Sequence, residues 1–97
     1  MNAIQRMERV EWITEYIKHD SVTHAVDILN QPFVEKYIEK FNAPYLLQPF
    51  GAPTCRELGQ ILAFGYHCNI FNRDPISLTD HEVGFPNWVY AYTIKGR

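Results

Sequence analysis

The run Trp88-Val89-Tyr90-Ala91-Tyr92-Thr93-Ile94 constrains this chain more than any other stretch. It is β-branched or aromatic almost throughout, a strand by propensity and by period. A strand needs a partner for its ladder groups. Ile70-Phe71-Asn72-Arg73 alternates in the same manner, Asp74-Pro75 is expected to break it, and Ser77 to Pro86 holds the loop residues Thr79, Asp80, His81 and Gly84. The chain is therefore expected to close with an antiparallel hairpin, 70–73 against 88–94, with a long tip.

Everything before that hairpin reads as helix and short turns. Ile4, Met7, Val10, Ile13 and Ile17 recur at threes and fours, with Gln5, Arg9, Glu11, Glu15 and Lys18 opposite, which predicts a helix from about 3 to 19. Trp12 and Tyr16 widen its apolar arc, which suits either padding of a small core or a homodimer contact. A shorter segment, Thr23 to Leu29, places Val26 and Leu29 on one side. Pro32 in a first turn, capped by Gln31, predicts a helix to about Phe41 with Phe33, Val34, Tyr37, Ile38 and Phe41 inward. Its outer face, Glu35, Lys36, Glu39 and Lys40, alternates in sign.

After Asn42-Ala43-Pro44, the stretch Tyr45-Leu46-Leu47 is briefly extended and Pro49-Phe50-Gly51-Ala52-Pro53 turns. Thr54-Cys55-Arg56-Glu57 then has the spacing of a capping box, a cap worth about 1 kcal/mol. The helix it opens carries Leu58, Ile61 and Leu62 on its apolar side and ends near Cys68, with Asn69 as a left-handed residue. Gly59 and Gly65 each cost about 1 kcal/mol relative to Ala, so both suggest close approach of a neighbour.

Ninety-seven residues, 46% hydrophobic and 21% charged, allow one globular core and exclude a disordered chain. Six Phe, six Tyr and two Trp are generous for that length. The formal charge of −2 supplies no global attraction to phosphate. Two cysteines thirteen residues apart on one helix are too distant to bridge, which suits a reducing compartment. No apolar run resembles a signal peptide or a membrane span, so the cytoplasm is the expected location.

In order, the chain is helix, helix with an extended approach, capped helix, strand, long loop, strand. That order resembles the winged helix-turn-helix family, and the residues carrying the resemblance are Leu58-Gly59-Gln60-Ile61-Leu62, Asn69-Ile70-Phe71-Asn72-Arg73 and Trp88 to Gly96. More narrowly, Phe33-Val34-Glu35-Lys36-Tyr37, Gly51-Ala52-Pro53 and Gly84-Phe85-Pro86-Asn87-Trp88-Val89-Tyr90 look like small phage and prophage proteins. The resemblance implies an α+β winged-helix domain of three to four helices and a C-terminal wing over 1–97. Residues 1–20 would be an additional helix and the candidate dimer contact, the location the cytoplasm of a bacterial host cell, and the function that of a DNA-binding transcriptional regulator. It departs from the family at Asn69, where glycine is usual, and in its acidic balance.

No phosphate loop, zinc-protease motif or nucleophile elbow occurs, so neither an enzyme nor a cofactor is expected. Cys55, Cys68, His24 and His67 lack the paired-cysteine spacing of a zinc centre. Cys55 in a first turn suits a small apolar residue better than a reactive thiol. For double-stranded DNA the candidates are Thr54, Arg56, Gln60 and His67 on the capped helix, with Arg73, Lys95 and Arg97 of the wing at phosphates. The alternative is a protein-binding module, such as a phage-encoded inhibitor of a host protein. It would engage its partner through Trp12, Tyr16, Asp80 and Glu82.

Overall fold

Asn2 opens the first helix by a reciprocal cap: its side chain accepts the Gln5 amide at 2.8 Å while the Gln5 side chain accepts the Asn2 amide at 3.0 Å. Helix α1 runs over Ala3–His19. The computed structural model describes residues 1–47, 52–78 and 87–96. Over these it is an α+β molecule of three helices and two small antiparallel sheets. No described helix is long and apolar enough to cross a membrane.

Helix α2 spans Gln31–Phe41, and its cap is Asn30, whose side chain accepts the Phe33 amide at 3.2 Å, rather than Gln31. Asn oxygen reaches the first-turn amides better than the longer Gln. Asn42, left-handed at φ 50°, closes α2. Strands β1 (Leu46–Leu47) and β2 (Pro53–Thr54) form a minimal antiparallel pair, and helix α3 follows over Arg56–His67. Strands β3 (Phe71–Ser77) and β4 (Trp88–Ile94) complete the chain as the expected hairpin, Phe71 opposite Ile94 and Ser77 opposite Trp88.

Three local expectations fail for reasons visible in the geometry. The capping box at Thr54 is not made: the cap position belongs to Cys55, which has no side-chain cap bond, and the Thr54 hydroxyl donates to the Leu46 carbonyl at 3.2 Å. Strand pairing has taken the Thr. Residues 23–29 form no fourth helix; Val26 instead bridges β4, exchanging amide bonds with Tyr92 at 3.0 and 2.8 Å. Nor does Asp74-Pro75 end β3. Tyr92 spends both backbone groups on Val26, so in an antiparallel ladder the pairs Arg73–Tyr92 and Pro75–Tyr90 are the non-bonded ones. Pro75 therefore sits where no donor is asked of it.

The core gathers Val10, Ile13 and Ile17 of α1, Phe33, Val34 and Tyr37 of α2, Leu58, Ile61 and Leu62 of α3, and Val26, Phe71 and Tyr92 from the sheet side. The apolar stripe of α1 is buried only from its middle onward, because Ile4 is 79% exposed. Trp12 lies within 6.1 Å of the Tyr16, Phe33, Tyr37 and Phe41 rings, so the surplus aromatics of α1 pack against α2. Tyr16 is itself buried. Trp12 is partly buried there.

Glu57 ties the three helices together. Its Oε2 accepts the Tyr37 hydroxyl at 2.6 Å and Arg9 Nε at 3.3 Å, and the Arg9 guanidinium lies 4.6 Å from the Phe41 ring. Arg9, on the face expected to be wet, is thus drawn inward over α2 and α3. Burial and the bond to Glu57 together raise the Tyr37 phenol well above its ordinary value.

The α3 glycines differ in kind. A Cβ at Gly65 would collide with the Phe71 ring, whereas one at Gly59 would meet Ile28 Cγ2 at an ordinary 3.8 Å. Gly65→Ala should therefore destabilise by about 1–3 kcal/mol through overpacking, while Gly59→Ala should stabilise by up to about 1 kcal/mol through helix propensity. Urea unfolding of the two variants checks the opposite signs. Tyr37→Phe removes a hydrogen bond to a charged group, at a cost of about 1.5–3 kcal/mol at neutral pH. Because the folded phenol titrates above its unfolded value of 10.0, Tyr37 stabilises fully below that pH and loses its contribution as pH rises beyond it. The gap between wild type and Tyr37→Phe should accordingly narrow above about pH 10.

Candidate nucleic-acid interface

Helix α3 is amphipathic by sequence, and the fold buries Leu58, Ile61, Leu62 and Gly65 while leaving Arg56, Gln60 and His67 exposed. The steps between 56, 60, 63 and 67 are four, three and four, so these positions form one stripe with the half-buried Ala63. At 1.5 Å per residue the stripe is ~16 Å long.

The charge along this stripe differs from the charge of the whole chain. Glu57 is the single acidic residue of α3, and it is turned inward to Tyr37 and Arg9 with a side-chain exposure of 19%. The outward face keeps Arg56 without an acidic neighbour on its own helix. Arg6 of α1 adds a second cation: its guanidinium stands 5.7 Å from the Phe64 ring, and it borders the crevice between α1 and α3 that Gln60, Ala63, His67 and the Arg9-paired Glu57 also line. Sequence periodicity did not single out Arg6. Only the crossing of α1 on α3 brings it to the stripe.

Thr54, half-buried in β2, borders a shallow pocket together with Arg56, Gln60 and Ala63. The expected wing contacts are differently placed. Arg73 is held between two rings, its guanidinium 3.9 Å from the Tyr66 centroid and 4.3 Å from that of Tyr90. This clamp joins β3 and β4 to the end of α3, so Arg73 serves the hairpin's docking while staying partly exposed. Lys95 is exposed; its Nζ donates to Asn69 Oδ1 at 2.7 Å, beside the left-handed turn at φ 63° that ends α3. Arg97, Asp80 and Glu82 lie outside the described residues.

No group of three His, Cys, Asp or Glu among the described residues is placed to hold a metal ion. Cys55 is buried and Cys68 exposed. Desolvation pushes the Cys55 thiol up, outweighing the nearby amides of Leu58 and Glu57 that act the other way. The low-pKa environment of a reactive thiol is missing there.

Between α3 and the hairpin runs an apolar groove of ≈ 350 Å³ bordered by Ile28, Gly59, Trp88 and Tyr90. Trp88 is 49% exposed and meets Tyr90 edge-on at 4.8 Å. Comparison with known protein families, curated proteins and solved structures finds no match to the chain.

The clamp at Arg73 predicts that Arg73→Ala lowers the thermal midpoint and shifts the Tyr66 and Tyr90 ring resonances together. Arg73→Lys should restore little of either, since an ammonium cannot stack as a planar guanidinium does. Thermal melts and aromatic NMR spectra check this.

Proposed function

We propose that the protein is a DNA-binding module that lays the outer stripe of α3 against a duplex. The observation that carries this reading is the exposed row Arg56, Gln60 and His67, joined by Arg6, on a helix whose one carboxylate is engaged inside the fold. Arg suits guanine and Gln suits adenine in bidentate contacts. Lys95, at the start of the turn after β4, is the described hairpin cation left to meet a phosphate. Support also comes from the element order: a bridge strand at Val26, then two helices, then a hairpin whose second strand carries the bridge, as in a winged helix. The connection from Asn42 to Cys55, with its own strand pair, is longer than the tight turn of a helix-turn-helix. A role as a transcriptional regulator follows from this reading.

One observation favours a second reading, a protein-binding module of the inhibitor kind. The groove beside α3 is apolar where a phosphate would be expected, with Trp88 and Ile28 half-exposed along it.

Fluorescence anisotropy on random duplex DNA across a salt series tests the choice. Binding should weaken steeply with salt, Lys95→Ala should flatten the slope by about one unit, and Arg56→Ala should weaken discrimination at one base position. Arg73→Ala should leave the slope unchanged. No duplex binding at low salt would overturn the DNA reading and leave the groove as the working surface.

A further inference from the structure

Three consecutive large apolar side chains, Tyr45, Leu46 and Leu47, are exposed at 53%, 77% and 68%. They lie between α2 and α3, in the connection that carries the β1–β2 pair. Adjacent strand residues face opposite sides, so with both Leu46 and Leu47 uncovered β1 exposes an apolar side chain on each face, while β2 is half-buried. Contiguous apolar exposure of this kind marks an interaction site more often than chance. Leu47 and Tyr45 also border a cleft of ≈ 330 Å³ completed by Ile38 and Pro53.

The rim of that cleft is acidic. Glu35 and Glu39, one helical turn apart on α2, line it, and neither forms an ion pair with a described residue. Lys36 of the same helix is drawn away, its Nζ 5.7 Å from the Tyr16 ring. An apolar floor under two unpaired carboxylates selects against phosphate and anionic lipid. A second copy docking by the same patch would set carboxylates against carboxylates across its two-fold axis.

From this we infer that the α2–β1 cleft is a docking site for a basic, apolar segment of a partner protein. The segment seats one large aliphatic or aromatic side chain among Ile38, Tyr45 and Leu47 and places Lys or Arg beside Glu35 and Glu39. The inference does not depend on what α3 binds.

The probe is an acetylated heptapeptide of alternating Lys and Leu, titrated into the isotope-labelled protein at low and moderate salt, with Glu/Leu and Lys/Ser peptides of the same pattern as controls. The Lys/Leu peptide should perturb amides of 35–39 and 45–47, bind more weakly as salt rises, and outbind both controls at least tenfold. The doubly substituted Glu35→Lys, Glu39→Lys protein and the Leu47→Ser protein should each lose at least tenfold in affinity. The two glutamates are solvent-exposed, so their substitution keeps the test open if Leu47→Ser fails to fold. Equal binding of a control peptide, perturbations confined to other surfaces, or no effect of the charge reversals would overturn the inference. So would sedimentation showing a wild-type dimer that Leu47→Ser dissociates, which would seat a second copy in the cleft. Duplex binding through α3 should be unchanged by these variants, so failure here and failure of the DNA reading are separate outcomes.

Discussion

The arrangement of the helices rests on one carboxylate. Glu57 accepts a phenol from α2 and a guanidinium from α1 while standing in the first turn of α3, so a single oxygen specifies how three helices meet. Both donors converge on the same oxygen, Oε2, and a partly enclosed carboxylate keeps its charge at less cost where donors reach it. Apolar packing alone would tolerate some sliding of one helix over another. The fixed length of two hydrogen bonds does not. The same inward turn pairs the charge of Glu57 with Arg9 where it borders the crevice beside Gln60 and His67, which joins the packing of the molecule to the character of its exposed stripe.

Net charge is therefore a poor guide to this surface. The chain carries −2 overall, yet its charges are sorted: Arg56 and Arg6 stand along α3, and Glu35 and Glu39 along the cleft of α2. Screening limits each charge to about 8 Å at physiological salt, so the two regions act as separate fields. Such sorting suits a molecule with two different faces to offer.

Patterns that depend on one element alone were legible in the sequence. The bounds of α1, the left-handed Asn69 and the pairing of β3 with β4 all follow from periodicity, cap chemistry and strand propensity. What failed depended on distant partners. The Thr54–Glu57 spacing is that of a capping box, but β1 claimed the threonine and Tyr37 and Arg9 claimed the glutamate. The Asn2–Gln5 box, with the same spacing, forms because nothing competes for it. At the candidate site, Arg56, Gln60 and His67 were readable from helical spacing, whereas Arg6 reached the stripe, and Arg73 of the hairpin met Tyr66 and Tyr90, through tertiary contacts. Tyr66 and Arg73 lie on different elements joined across a turn, and Arg9 and Glu57 are 48 positions apart. Periodicity within one element links neither pair.

The ladder position of Pro75 has a consequence for how copies of this chain behave at high concentration. Strand β4 is bridged on its far side by Val26 at Tyr92, whereas no bridge between described residues lies along the outer rim of β3, where a foreign strand could add. At its middle that rim presents a proline ring in place of an amide hydrogen. An approaching strand would leave one of its carbonyls without a donor and would meet the ring instead, flanked by the exposed carboxylate of Asp74. The residue that seemed to end the strand instead blunts its edge, making runaway stacking of hairpins into fibrils unfavourable from this side.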